Sequence, residues 1–174
     1  MRMITIFGKK YGQIKNAEED SIQRKITKII TSHNGKDSSL MVKEFLSNLL
    51  YSVMHRIYDQ IMAESKIDVF GNLDFEVADK IDGKKQRVAK IKENKIIVKL
   101  NAVSLPKSAL KYIIVHEIAH LTTKKHGKKF WKIVESIYPD YPKGQRLFND
   151  SEEILIGSIN CHIESIGMDG HDKN

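Results

Sequence analysis

The sequence predicts an α+β fold. Apolar residues recur at helical spacing before Glu64 and again after Pro106, whereas between Asp68 and Leu100 the period switches to two. Helices and strands kept apart along a chain in this way build an α+β domain rather than alternating βα units. A chain of 174 residues, 41% hydrophobic and 29% charged, is long enough to bury a core of its own. No apolar run reaches the roughly 18 residues of a membrane span. The opening MRMITIFGKKYGQ lacks a cleavage pattern, and the lone Cys161 has no partner for an internal disulfide. These features predict a cytoplasmic protein with no membrane partner.

Each element has a local reason. Met3 to Phe7 is a short apolar run bounded by Gly8, which predicts a strand. From Ala17 to Ser32, Ile22, Ile26, Ile29 and Ile30 fall on one helical face, with Glu18, Glu19 and Asp20 at the favourable end of the dipole. The polar stretch His33 to Ser38 marks a boundary, so residues 1–35 read as an N-terminal strand and helix appendage, 36–166 as the main domain and 167–174 as a flexible tail. Asp37 or Ser38 caps a long helix reaching Glu64, whose apolar face runs from Val42 to Ile61 and carries His55.

Leu73 to Val77 alternates as a half-buried strand, and Asp82-Gly83 is a hairpin signal. Gln86 to Ile91 and Lys95 to Leu100 follow as strands joined by Lys92-Glu93-Asn94. The expectation is a three-stranded antiparallel sheet packed on the next helix. That helix, from Pro106 to Thr122, has Pro in its first turn and an apolar stripe of Leu110, Ile114, Ile118 and Leu121. Gly127 is expected to free the backbone for another helix, Lys128 to Ile137, that buries Phe130, Trp131, Val134 and Ile137. A last helix is expected from Ser151 to Ile166.

The chemistry concentrates between Lys111 and Pro139. His116, Glu117 and His120 spell H-E-x-x-H, and residues four apart on a helix lie about 40° apart around its axis. The two imidazoles therefore share a face, and His126 is the natural third ligand. Three imidazoles suit Zn2+, which in catalytic sites keeps one tetrahedral position for water. Glu117 is placed to take that water's proton as general base. His55 and Glu135 are alternative ligands, and Tyr138, Tyr141 and Arg146 are candidates for steadying an oxyanion.

These residues also carry a resemblance. The run HEIAHLTTKKHGKKFWKIVESIYPDY is similar to the YgjP-like metallopeptidase family in His116, Glu117, His120, His126, Phe130, Trp131, Pro139 and Asp140, and NKIIVKLNAVSLPKSALKYIIV is similar upstream. The resemblance covers about Lys90 to Tyr141 and implies a small zincin-like domain, with His116, His120 and His126 as zinc ligands and Glu117 as base. Many members carry Arg-Trp-Gly-Ser-Cys where this chain reads Gln86 to Ile91. SprT-like proteases share the later His-Gly and Phe, here His126, Gly127 and Phe130. Metzincins need glycine where Thr123 stands.

A formal charge of +7 raises the question of anionic partners. Only five of the 29 basic residues are arginine, the side chain suited to bidentate phosphate contacts. The excess is local, however, since Lys107 to Lys132 contains seven lysines and one acid, Glu117. The reading is a zinc-dependent peptidase acting on peptide or protein. A SprT-like DNA-associated protease, a hydrolase of nucleotides or other phosphate esters using the basic rim, and a binding module with structural zinc are the alternatives.

Overall fold

A computed structural model of the chain describes residues 4–11, 21–33, 35–65, 73–84 and 86–151. In order these form β1 (Ile4–Ile6), β2 (Lys9–Tyr11), α1 (Ser21–Ser32), α2 (Gly35–Glu64), β3 (Asp74–Ala78), β4 (Ala89–Lys92), β5 (Lys95–Lys99), a 3-10 turn (Leu100–Ser104), α3 (Lys107–His120), α4 (Lys128–Ile137) and α5 (Tyr141–Asp150). The expected helix after Ser151, with Cys161, and the tail lie outside the described residues. No helix among the described residues is long and apolar enough to cross a membrane.

The core is built around α3. Ala109, Leu110, Tyr112, Ile113, Ile114, Val115, Ile118 and Ala119 are all buried, so the helix is enclosed on most sides rather than along one stripe. Leu121, expected to end the apolar stripe, is 37% exposed. A helix that is apolar nearly all round belongs in the middle of a domain. α2 and α4 pack against it, and α5 lies closest of all. A Cβ on Gly144 of α5 would meet the Ser108 carbonyl oxygen at 2.6 Å and Tyr112 Cβ at 2.9 Å. Glycine is what lets the two helices approach this far. α5 was not expected: the sequence reading assigned no element between Ile137 and Ser151. Pro142 occupies the first turn, where its missing N–H costs nothing.

The sheet corrects the antiparallel expectation. Its order is β3-β5-β4, with β3 parallel to β5 and β4 antiparallel to it. Asp82 and Gly83 do form a tight turn, with φ of 50° and 64°, but it does not join paired strands. The reason lies in β5, where Ile96 and Val98 are fully buried and Ile97 half-buried. The most apolar strand takes the centre, and the polar strands β3 and β4 become edges. In this sheet, among the described residues, the hairpin is the β4–β5 turn at Glu93-Asn94.

The N-terminal hairpin braces the entrance to α3. Its tip, Phe7 and Gly8, has φ of 47° and 79°, the paired positive values that a two-residue turn demands. Phenylalanine is strained there. The strain is offset by docking: Phe7 N–H donates to the Val103 carbonyl at 2.7 Å and Gly8 N–H to that of Ser104 at 3.1 Å. Ile4, Ile6, Tyr11 and Ile26 share one apolar cluster with α2, β5 and α3. The start of the chain thus holds the 3-10 turn that aims α3.

Because backbone cannot yield as a side-chain tip can, Gly144→Ala is expected to destabilise the fold by about 1–3 kcal/mol. Urea denaturation checks this; unchanged stability would mean that the α3–α5 contact is looser than described.

Candidate metal centre

α3 is buried except where its chemistry lies: His116, Glu117 and His120 are each half-buried. After His120 the helix unwinds through bonds from Leu121, Thr122 and Thr123 N–H back to Ile118 and Ala119 carbonyls, which turns the chain sharply. Thr123 Oγ1 then donates to the Lys125 carbonyl at 3.3 Å. This tight loop returns the exposed His126 over the two helical histidines. Gly127 has φ of −87° and open space around it, so the turn does not require glycine.

The three rings meet. Their centroids stand 4.9 Å (His116–His120), 4.9 Å (His116–His126) and 4.8 Å (His120–His126) apart. One nitrogen from each lies within 4.8 Å of the others, and no further His, Cys, Asp or Glu among the described residues joins the group. Phe130, fully buried at the start of α4, sits under all three rings at 4.6 to 4.9 Å. It forms an apolar floor.

The nitrogens are arranged as donors to a cation. His116 Nε2 and His126 Nε2 face each other at 3.1 Å. Nitrogens bound at about 2.0–2.1 Å on a tetrahedral zinc stand about 3.3 Å apart, so the pair is close to a coordination spacing. His120 Nδ1 lies 3.1 Å from the Thr123 carbonyl, an acceptor that fixes the proton on Nδ1 and leaves Nε2 free. Burial first, then the neighbouring His120 and His126 charges, push the His116 pKa down to about 4. That imidazole is neutral at pH 7, the state in which it can bind metal. The residues therefore fit a single divalent ion.

Glu117 lies beside the cluster on the same helix. Its Oε2 accepts the Ile91 N–H at 2.9 Å. The bond follows from strand register: Lys99 N–H donates to the Val88 carbonyl at 2.9 Å, so Val88 faces β5, and alternate residues Ala89 and Ile91 turn their backbone groups outward. Burial raises the Glu117 pKa, opposed by the charge of His120, the Ile91 N–H and the charge of Arg87.

Several expected residues lie elsewhere. His55 packs between Tyr51 and Phe75 near Asp74 and takes no part in the cluster. Glu135 is exposed on α4 and is not in the group of donors. Tyr138 is buried and bonded to Ser108, with Lys111 over its ring at 5.1 Å. Arg146 is exposed on α5. Tyr141 stacks on Trp131 at 5.6 Å, and Trp131 in turn lies 6.3 Å from His126. Sequence reasoning missed Tyr112, whose ring is 5.7 Å from His116, although its i−4 spacing was visible. It also missed the Thr123 carbonyl and the Ile91 N–H, which are backbone groups with no side-chain signature, and Arg87, whose proximity depends on the sheet order.

A buried helix carrying H-E-x-x-H, a small mixed sheet and a returning third histidine define a metal-centre protein of the α+β class. A family model described as YgjP-like, metallopeptidase domain matches residues 2–151, and the chain belongs to that family. At family level this is a metal-dependent peptidase domain. The match takes in the N-terminal hairpin and α1, well beyond the stretch from Lys90 to Tyr141. No curated protein and no solved structure matches the chain.

The Glu117–Ile91 bond makes an outcome accessible by hydrogen exchange. In Glu117→Ala the Ile91 amide is expected to exchange about tenfold faster or more, equivalent to about 1.4 kcal/mol of lost bond, whereas Glu117→Gln keeps an acceptor and its protection. Equal exchange in both variants would show that the carboxylate does not hold the strand.

Proposed function

We propose that the protein is a zinc-dependent peptidase in which His116, His120 and His126 hold the ion and Glu117 is the general base. The observation that carries this reading is the convergence of three imidazole nitrogens next to a half-buried carboxylate, with one ligand, His126, exposed. Zinc bound there would polarise a peptide carbonyl and lower the pKa of a water toward about 7.

The chain's own groups supply the rest. Glu117 accepts the proton of the attacking water and delivers it to the leaving amine nitrogen. Its burial raises its proton affinity toward that of a working base, while the Ile91 N–H keeps one oxygen fixed and leaves the other for the proton. β4 is an edge strand whose Ala89 and Ile91 backbone groups face away from the sheet; Glu117 takes the Ile91 N–H, which leaves the Ala89 groups and the Ile91 carbonyl for a partner. An extended substrate can add there as a further strand and bring its carbonyl to the cluster. A structural zinc would need a fourth protein ligand, and the donor group among the described residues has three members, which supports an open catalytic position. The exposed lysines around His126 also suit a phosphate ester, the second reading.

Glu117→Gln is expected to lower kcat on a peptide substrate by about 10²–10⁴-fold while zinc content stays at about one per chain. His126→Ala is expected to bind zinc more weakly, through the remaining His116 and His120. Full activity in the Gln variant would remove Glu117 from the mechanism, and hydrolysis of nucleotides but not peptides would favour the second reading.

A further inference from the structure

Two groups of cations border the metal centre from different elements. On the sheet side, Asp82, held at φ 50° in its turn, accepts Arg87 Nη1 at 2.6 Å and Lys90 Nζ at 2.8 Å. Arg87 and Lys90 belong to the stretch whose next residue, Ile91, holds Glu117. One carboxylate steers two cations, so the trio keeps a net positive charge, and Arg87 and Lys90 remain 37% and 33% exposed. On the loop and helix that carry His126, Lys124, Lys125, Lys128, Lys129 and Lys132 flank it in sequence, and all are exposed. None of the five makes an ion pair among the described residues, and no acid occurs between Glu117 and Glu135. Like charges at this density repel one another and gain from an anionic partner.

Resting on the peptidase reading of this site, we infer that the cleft selects acidic polypeptide: segments with Asp or Glu on both sides of the scissile bond, read by Lys90 on β4 with Arg87 just before it, and by the lysines flanking His126. Charge complementarity determines the sign of the substrate, and β4 determines its form, because an edge strand accepts an extended backbone. Single-stranded nucleic acid fits less well. It needs aromatic faces on which bases stack. Phe130 is buried beneath the histidines, and half-buried Trp131 already has Tyr141 stacked against it. Lysine, which dominates here, is also less suited than arginine to forked phosphate contacts. Asp82 is a positioning residue, since it touches the cations and not the substrate.

The test is binding by fluorescence anisotropy at about 150 mM salt, using full-length Glu117→Gln protein loaded with zinc. The probes are a Glu-rich peptide, its Gln isostere and a single-stranded oligonucleotide of equal charge. The Glu-rich peptide is expected to bind about tenfold or more tighter than the isostere. Adding Arg87→Gln with Lys90→Gln should close most of that gap, as should Lys128→Gln with Lys129→Gln, a surface pair that leaves the Asp82 turn intact. Equal binding of the two peptides, a gap unmoved by either pair, or an oligonucleotide that binds tighter than the acidic peptide would each overturn the inference. Tight binding of a Glu-rich peptide that the zinc-loaded wild type does not cleave would instead sink the peptidase reading alone. Equal kcat/KM on both peptides would sink the acidic preference alone.

Discussion

Three imidazoles packed ring against ring within 5 Å, with no carboxylate among them, are the constraint on which the rest of the molecule depends. Two facing lone pairs at 3.1 Å repel unless a proton or a cation lies between them. Burial disfavours the imidazolium at His116, so the ring is neutral, and either an N–H shared between the two Nε2 atoms or a cation satisfies the pair. The nitrogens are therefore held close to the spacing a metal ion needs, and their surroundings keep them there.

The supports can be traced residue by residue. α3 is fixed at its start by the 3-10 turn, which the Phe7-Gly8 tip holds through two backbone bonds. It is fixed along its length by α5, admitted to close range at Gly144. Phe130 props the rings from below, and the Thr123 carbonyl orients His120. The edge of the sheet reaches the same point through Ile91 and Glu117. Segments far apart in sequence therefore meet at one cluster, so preorganisation of the centre and stability of the fold share the same contacts.

Much of this was legible in the sequence, and the limits have physical causes. The convergence of the helical histidines was readable because i, i+4 spacing fixes His116 and His120 on one face whatever surrounds the helix. The long helix and α4 followed from apolar periodicity. Sheet order was not readable, because alternation marks a strand as half-buried without saying which neighbour it pairs with. The unbroken apolar run Ile96, Ile97 and Val98, which suits β5 to the centre, was visible but was not used to arrange the strands. α5 was not anticipated; Pro142 and Gly144 usually interrupt helices, whereas here one starts the helix and the other lets it pack. Backbone partners such as the Thr123 carbonyl and the Ile91 N–H have no signature in side-chain identity at all.

The positive rims gain their meaning from this geometry. Lysines near a histidine in sequence are ordinary surface, but exposed lysines beside His126, together with Arg87 and Lys90 next to the residue that holds Glu117, set the charge met by whatever approaches the centre. The central claim remains the triad itself, and X-ray absorption at the zinc edge tests it most directly, on wild type and His126→Ala. The account predicts three imidazole nitrogens at about 2.0–2.1 Å with one further light donor, and one imidazole fewer in the variant. A sulfur scatterer at about 2.3 Å, a fourth imidazole, or a spectrum indifferent to His126 would contradict it.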